Sequence, residues 1–284
     1  MELSKNYKEE INEFFKKTGY GFVINSNSIN EIYLECLNKA EINQLKLFLA
    51  FAFNNNIKVN INEKNENGFF PLLWAIILDD TIMVNFLIDY CIKIGIKLDL
   101  NKKNNSGLYP LLLACNRNNY NVVQLLIEYA KANDIILELN ETNKDGLYPM
   151  LEACYHNNID MVHLLINYAT DKKITLNINQ KDKFGNYPLI WTCNNKNYDL
   201  VKTLINYKIE AITLELNENN NNGIYPFFEA CYNNIDITQL LIDYAKRKNI
   251  KLKLKEKDMK RIHKISKKID QLIQKNKNVI EIIN

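Results

Sequence analysis

All five prolines of this chain stand at one position of one repeating unit: Pro71, Pro110, Pro149, Pro188 and Pro226, at spacings of 39, 39, 39 and 38 residues. Each closes a Gly-x-(Phe/Tyr)-Pro run, from Gly68, Gly107, Gly146, Gly185 and Gly223. A fixed period of roughly 20–50 residues is the mark of stacked supersecondary units. Such units touch only their neighbours, so the chain needs no single central core and is expected to present a long surface instead.

One unit, residues 107–145, shows what each part must do. Pro110 opens a short apolar helix, because a proline at the first helical position forfeits no hydrogen bond. Leu111, Leu112, Ala114 and Cys115 fill that helix, and Asn118-Asn119 ends it, since Asn tolerates the left-handed conformation. Val122, Val123, Leu125, Leu126 and Tyr129 then recur near the helical period and predict a second helix. In later units Asp160, Asp199 and Asp236 mark its start, where a carboxylate suits the helix dipole. An alternating run follows in every unit: Ile57-Val59-Ile61, Ile96-Leu98-Leu100, Ile135-Leu137-Leu139, Ile174-Leu176-Ile178, Ile212-Leu214-Leu216 and Ile250-Leu252-Leu254. Alternation at period two predicts a strand-like arm. Asn67-Gly68, Asp145-Gly146 and Asn222-Gly223 are tight-turn dipeptides that close the unit. The arms are expected to lie side by side, one per unit, with alternate side chains turned to the helices.

The pattern resembles the ankyrin repeat. That family's Gly-x-Thr-Pro-Leu-His-x-Ala is matched by Gly107-Leu108-Tyr109-Pro110-Leu111-Leu112-Leu113-Ala114 and four sister copies, and its Val-x-Leu-Leu by Val123-Gln124-Leu125-Leu126. The resemblance implies an all-α helical solenoid of helix-turn-helix units with hairpin arms. The family's Thr is Phe70 or Tyr here, and its His is Leu73, Leu112, Leu151, Ile190 or Phe228, so apolar packing replaces the usual polar pair. The unit is 39 residues instead of 33, which must lengthen the second helix and the arm. The fifth repeat also loses one residue between Cys231 and Ile235. The expected organisation is one solenoid over 1–284: an N-terminal capping half repeat (1–31), a degenerate repeat (32–67), five full repeats (68–255) and a basic C-terminal capping helix (256–284). At the start, Ser4 would cap a helix with Tyr7, Ile11, Phe14 and Phe15 on one face; at the end, Ile262, Ile265, Ile269, Leu272 and Ile273 form another apolar face.

Charge is divided unevenly. Residues 246–284 hold 14 Lys/Arg against 4 Asp/Glu, and the remainder 22 against 29, so the overall +3 conceals a strongly basic end. A solvated cap, a polyanion-binding patch or a docking segment for an acidic partner would each use it. No run reaches the ~18 uninterrupted apolar residues of a membrane helix, and Met1–Lys17 lacks a signal-peptide core. The expected location is therefore cytoplasmic, with the nucleus open to a lysine-rich chain. The sequons at Asn104 and Asn140 fall in the hairpins and read as chance matches.

Chemistry has little to work with. Cys115, Cys154, Cys193 and Cys231 each follow the repeat proline by five residues, a core position, and no Cys-x-x-Cys pair exists for zinc. His156, His163 and His263 have no partner at metal spacing, and no nucleophile elbow or phosphate loop is present. Neither an enzyme nor a cofactor is expected. The tyrosines before the prolines (Tyr109, Tyr148, Tyr187, Tyr225) recur too faithfully to be a base-stacking row and read as structural.

The two tryptophans are more telling. Trp74 and Trp191 stand three residues after their prolines, where the other units have Leu113, Glu152 and Glu229. A position that swings from Trp to Glu is expected to be exposed, and the resemblance puts it on the concave face that usually contacts partners. Exposed Trp is a favoured binding hot spot. The expected partner-binding residues are Trp74, Leu113, Arg117, Glu152, Tyr155, His156, Trp191 and Glu229, and the expected role is a monomeric, non-catalytic protein-interaction module. Nucleic-acid or polyanion binding through the basic end, and service as a substrate adaptor in an enzyme complex, are the alternatives.

Overall fold

The computed structural model describes residues 5–19, 29–38, 42–207 and 213–283. They fall into two compact units, Met1–Glu138 and Leu139–Asn284. In the first, α1 (Lys5–Lys17), α2 (Ile29–Asn38) and α3 (Ile42–Asn54) precede two short-long helix pairs: α4 (Pro71–Ile77) with α5 (Thr81–Ile94), and α6 (Pro110–Asn116) with α7 (Tyr120–Ala132). In the second, three such pairs follow: α8 (Pro149–Tyr155) with α9 (Ile159–Lys172), α10 (Pro188–Asn194) with α11 (Tyr198–Asn206), and α12 (Pro226–Asn233) with α13 (Ile235–Lys248). The second unit ends in β1 (Leu252–Lys255), α14 (Glu256–Ile265), α15 (Lys267–Lys275) and β2 (Ile280–Ile283). The chain is thus all-α in class, with a helix-turn-helix repeat as its building block.

Local chemistry explains each boundary. The residue before every repeat proline is held extended, with φ between −131° and −147° at Tyr109, Tyr148, Tyr187 and Tyr225, as the proline ring requires of its predecessor. Asp79, Asn118, Asn157 and Lys196 take left-handed φ of 55–58° just past the short helix. The next residue caps the long helix: Asp80, Asn119, Asn158 and Asn197 each accept a hydrogen bond from a backbone N–H three residues on. The missing residue of the fifth repeat falls at this joint, where Asn234 serves as both C-cap of α12 and N-cap of α13. Ser4 lies outside the described residues, as do the side chain of Tyr7 and Ile212; Ile11 and Phe15 are buried as their spacing predicts.

The arms correct one expectation. Their alternation in burial is as read: Val59 and Ile61, Leu98 and Leu100, Leu176 and Ile178, Leu214 and Leu216 are buried, with exposed residues between. Among the described residues, however, only Leu252–Lys255 forms a strand within an arm. Side chains hold the arms together instead of a backbone ladder. In the first unit the Asn62 carboxamide donates to the carbonyl of Lys97 at 2.7 Å and accepts from the N–H of Asp99 at 3.0 Å. Asn101 does the same with Ile136 and Glu138. In the second unit Asn140 pairs with Thr175 and Asn177, Asn179 with Thr213 and Glu215, and Asn217 with Lys251 and Lys253. A carboxamide has one donor face and one acceptor oxygen, so each Asn imitates a peptide group of an absent strand. At the last arm the position is Lys255, and backbone takes over: β2 pairs with β1 in parallel, Leu252 opposite Ile280. Asn140 is thus fully engaged, and Asn104 is 6% exposed with its oxygen accepting from Ser106 and Leu108, in keeping with the chance reading of both sequons. Replacing Asn179 by Ala removes two such bonds and should cost about 1–3 kcal/mol in urea unfolding; an unchanged midpoint would show the bridge to be idle.

Buried phenols tie arms to helices. The Tyr187 hydroxyl lies 2.9 Å and 3.0 Å from the carbonyl oxygens of Glu215 and Glu218, and that of Tyr148 donates to Gln180. Tyr33, in the unit that lacks the Gly-Pro run, does the same for Ile61 and Glu63. Tyr90, Tyr129 and Tyr244 of the long helices, and Tyr207 at the C-cap of α11, accept from the arm N–H groups of Val59, Leu98, Leu214 and Leu176 respectively. At the hairpin tips, Gly146 and Gly185 have φ of +79° and +78°, and a Cβ there would stand 2.9 Å from the Cα of Asp182 and of Asn220. Only glycine satisfies both the left-handed backbone and that approach.

All six cysteines are free and buried. Burial pushes the thiols of Cys154, Cys193 and Cys231 up, and that of Cys91 from 9.0 to about 12. A thiol raised in the folded state stabilises fully below its unfolded value, and that stability is lost as pH climbs through the folded value. Native protein should therefore resist thiol reagents at pH 8 and lose stability from about pH 9 toward 12. Labelling of the periodic cysteines faster than unfolding would reject their burial.

Candidate functional site

The short helices present the face on which the sequence placed a binding ridge. In the first unit, α4 and α6 pack side by side. Trp74 of α4 is half-buried, stacked on Phe69 with ring centroids 4.9 Å apart, and its indole N–H is buried without an acceptor. Leu113 of α6 is 3% exposed, and Arg117, which caps α6, is exposed. Here the ridge is mainly packing, with the exposed Arg117 at its edge.

The second unit is different. Here α8, α10 and α12 lie in a row. Tyr155 at the end of α8 is 50% exposed and meets Trp191 of α10 edge-on at 4.8 Å. His156, the C-cap of α8, lies 5.0 Å from the Tyr155 ring, and its Nε2 is 3.8 Å from the Glu152 carboxylate. Asn195 donates to the carbonyls of Cys154 and Tyr155, binding the end of α8 to the end of α10. The Glu229 carboxylate of α12 accepts from Asn194 at 3.3 Å and from Asn233 at 2.8 Å. Tyr232 is 45% exposed, its ring 5.7 Å from that of Phe228. The result is a face where exposed aromatic edges lie beside two buried carboxylates, Glu152 near His156 and Glu229 held by two amides.

This geometry corrects the expectation of uniform exposure. Leu113, Glu152 and Glu229 are buried, at 3%, 3% and 7%, while Trp74 and Trp191 are half-buried. Glu229 can be buried because two asparagine amides satisfy its oxygen, which removes the main cost of taking a carboxylate out of water. Variation in residue type at this position marks varied neighbours, not varied exposure. Sequence reading missed Tyr232, Asn194 and Asn195. The signal was available: six residues past the prolines stand Ile77, Asn116, Tyr155, Asn194 and Tyr232, as variable a set as the one three residues past.

The histidines take separate places. His163 is exposed on the outer side of α9, its Nε2 3.3 Å from the Thr203 hydroxyl, at a groove of about 640 Å³ between α9 and α11. His263 meets Asp270 at 3.0 Å in the C-terminal helices. Among the described residues no group of three or more His, Cys, Asp or Glu could hold a metal ion, and no helix is long and apolar enough to cross a membrane.

A family profile described as ankyrin repeats matches the chain in three copies, over residues 32–134, 89–176 and 173–252. The chain belongs to the ankyrin repeat family. That family generally mediates protein–protein interaction and is generally non-catalytic. A search of the curated proteins finds no match.

Proposed function

We propose that the chain is a monomeric, non-catalytic protein-interaction module of the cytoplasm whose short-helix face, the counterpart of the concave face used by its family, receives a partner polypeptide. The observation that carries this reading is the aromatic edge of the second unit. Most of the described aromatic rings are buried or half-buried in packing; of the four that are exposed, Phe184 lies at a hairpin tip and Tyr198 at the start of α11, while Tyr155 and Tyr232 are turned outward on either side of Trp191, on the same row of helices. Exposed aromatic rings on a rigid scaffold give large contact area at little entropic cost, which is why they anchor interfaces. Asn195 ties the end of α8 to that of α10, and Glu229 accepts from Asn194 and Asn233, so the helix ends that carry the rings are fixed before any partner arrives.

The test is a capture experiment from cells that express the protein, run with the natural chain and with Tyr155→Ala and Lys202→Ala variants. A protein retained by the natural chain and by the outer-face control Lys202→Ala, but lost by Tyr155→Ala, supports the reading. An identical set of retained proteins in all three overturns it.

A further inference from the structure

The C-terminal helices carry a feature that protein binding by the short-helix face leaves unused. Helices α14 and α15 are a helix pair in their own right, with α14 packed on α12 and α15 on α13. Where one capping helix was expected, Ser266 ends the first and caps the second, its Oγ accepting from the N–H of Ile269. Ile262, Ile269 and Ile273 are buried beneath. Outward, Lys257, Lys260, Arg261 and Lys264 are all exposed along one side of α14, and Lys267 and Lys268 continue them at the start of α15. From Lys257 to Lys264 the helix rises about 10 Å, with a cation at each turn.

The acids of the cap cancel only part of this charge. Asp258 is 2% exposed, accepting from the Tyr225 hydroxyl at 3.1 Å. Glu256 is paired with Lys260 at 2.9 Å, Asp258 also lies 3.8 Å from Arg261, and Asp270 is 3.0 Å from His263; among the described residues no acid pairs with Lys257, Lys264, Lys267 or Lys268. The fourth acid of residues 246–284, Glu281, lies on β2, so four acids stand against 14 lysines and arginines. Like charges gathered at this density repel one another, a standing cost that a polyanion relieves.

We propose that the α14–α15 cap docks the phosphate backbone of a nucleic-acid duplex. Three observations select that polyanion. The charges are overwhelmingly lysine, twelve of fourteen, which meets phosphates as point charges without base-edge geometry. Residues 246–284 contain no Phe, Tyr or Trp, so there is no platform on which unpaired bases could stack. The isoleucines of both helices are turned inward except Ile265, so the cap has no apolar face to sink into a bilayer. A duplex offers a dense line of phosphates, about one charge per 1.7 Å of axis, and asks for nothing else. Binding is sequence-independent and independent of Tyr155 and Trp191.

The test is a fluorescence-anisotropy titration of the full chain on a labelled duplex of about 20 base pairs, at 50 mM and 200 mM salt. If about four phosphates are neutralised, the log–log slope is near −3.6 and affinity falls about 150-fold between the two salts. Lys257→Glu/Lys264→Glu/Lys268→Glu should abolish binding at 50 mM. The milder Lys257→Gln/Lys264→Gln/Lys268→Gln should weaken it at least tenfold with a shallower slope and an unchanged circular dichroism spectrum. No duplex binding at 50 mM overturns the proposal, as does equal binding by the glutamine variant. Vesicles rich in phosphatidylserine form a second arm, and retention on them without duplex binding would also overturn it.

Discussion

Replacing Tyr187 by Ala is expected to lower the unfolding free energy by about 3–5 kcal/mol, the usual cost of deleting a large buried ring. The side chain is fully buried, and its hydroxyl holds the carbonyls of both Glu215 and Glu218 at the base of the following hairpin. Alanine leaves a cavity and two unsatisfied carbonyls together. Tyr187→Phe separates the two effects: the ring remains, and only the hydrogen bonds are lost, at about 1–2 kcal/mol. Because each repeat couples chiefly to its neighbours, hydrogen exchange should quicken in residues 213–230 before it quickens in α8. A loss below 1 kcal/mol for the alanine variant, or exchange that rises evenly over the second unit, would contradict this account of how arms are held. Burial also raises the Tyr187 hydroxyl pKa above its ordinary value. The phenol therefore stabilises the fold up to its unfolded value near 10, and that contribution is lost as pH rises beyond it.

Much of this was legible in the sequence. The proline register located every short helix from α4 to α12 at its first residue, since proline is tolerated only there. Period-two alternation named the buried members of each arm, because a side chain two residues along an extended segment returns to the same face. What alternation could not reveal is how neighbouring arms bond. Strand and bridged arm share one burial pattern, and the distinction lies in the polar residue that follows it: Asn62, Asn101, Asn140, Asn179 and Asn217, then Lys255 where a true strand forms. Burial at the variable ridge was equally hidden. Glu229 is buried through asparagines at 194 and 233, one of them on the preceding short helix, and a single-position comparison does not show contacts of that range.

The central claim is that the second unit's short-helix face binds a partner through its aromatic edge, and one paired measurement addresses it. Tyr155→Ala, Trp191→Ala and the double variant would be titrated with the purified captured partner, and the same samples unfolded in urea. Each single change should weaken binding by about 2 kcal/mol, roughly thirtyfold. The double variant should lose less than the sum, because rings 4.8 Å apart are coupled. Unfolding should remain cooperative and shift by no more than about 1–2 kcal/mol, since Tyr155 is half exposed. Undiminished affinity in the double variant, or a stability loss above about 3 kcal/mol that accounts for the weaker binding, would show these rings to be packing residues and place the interface elsewhere.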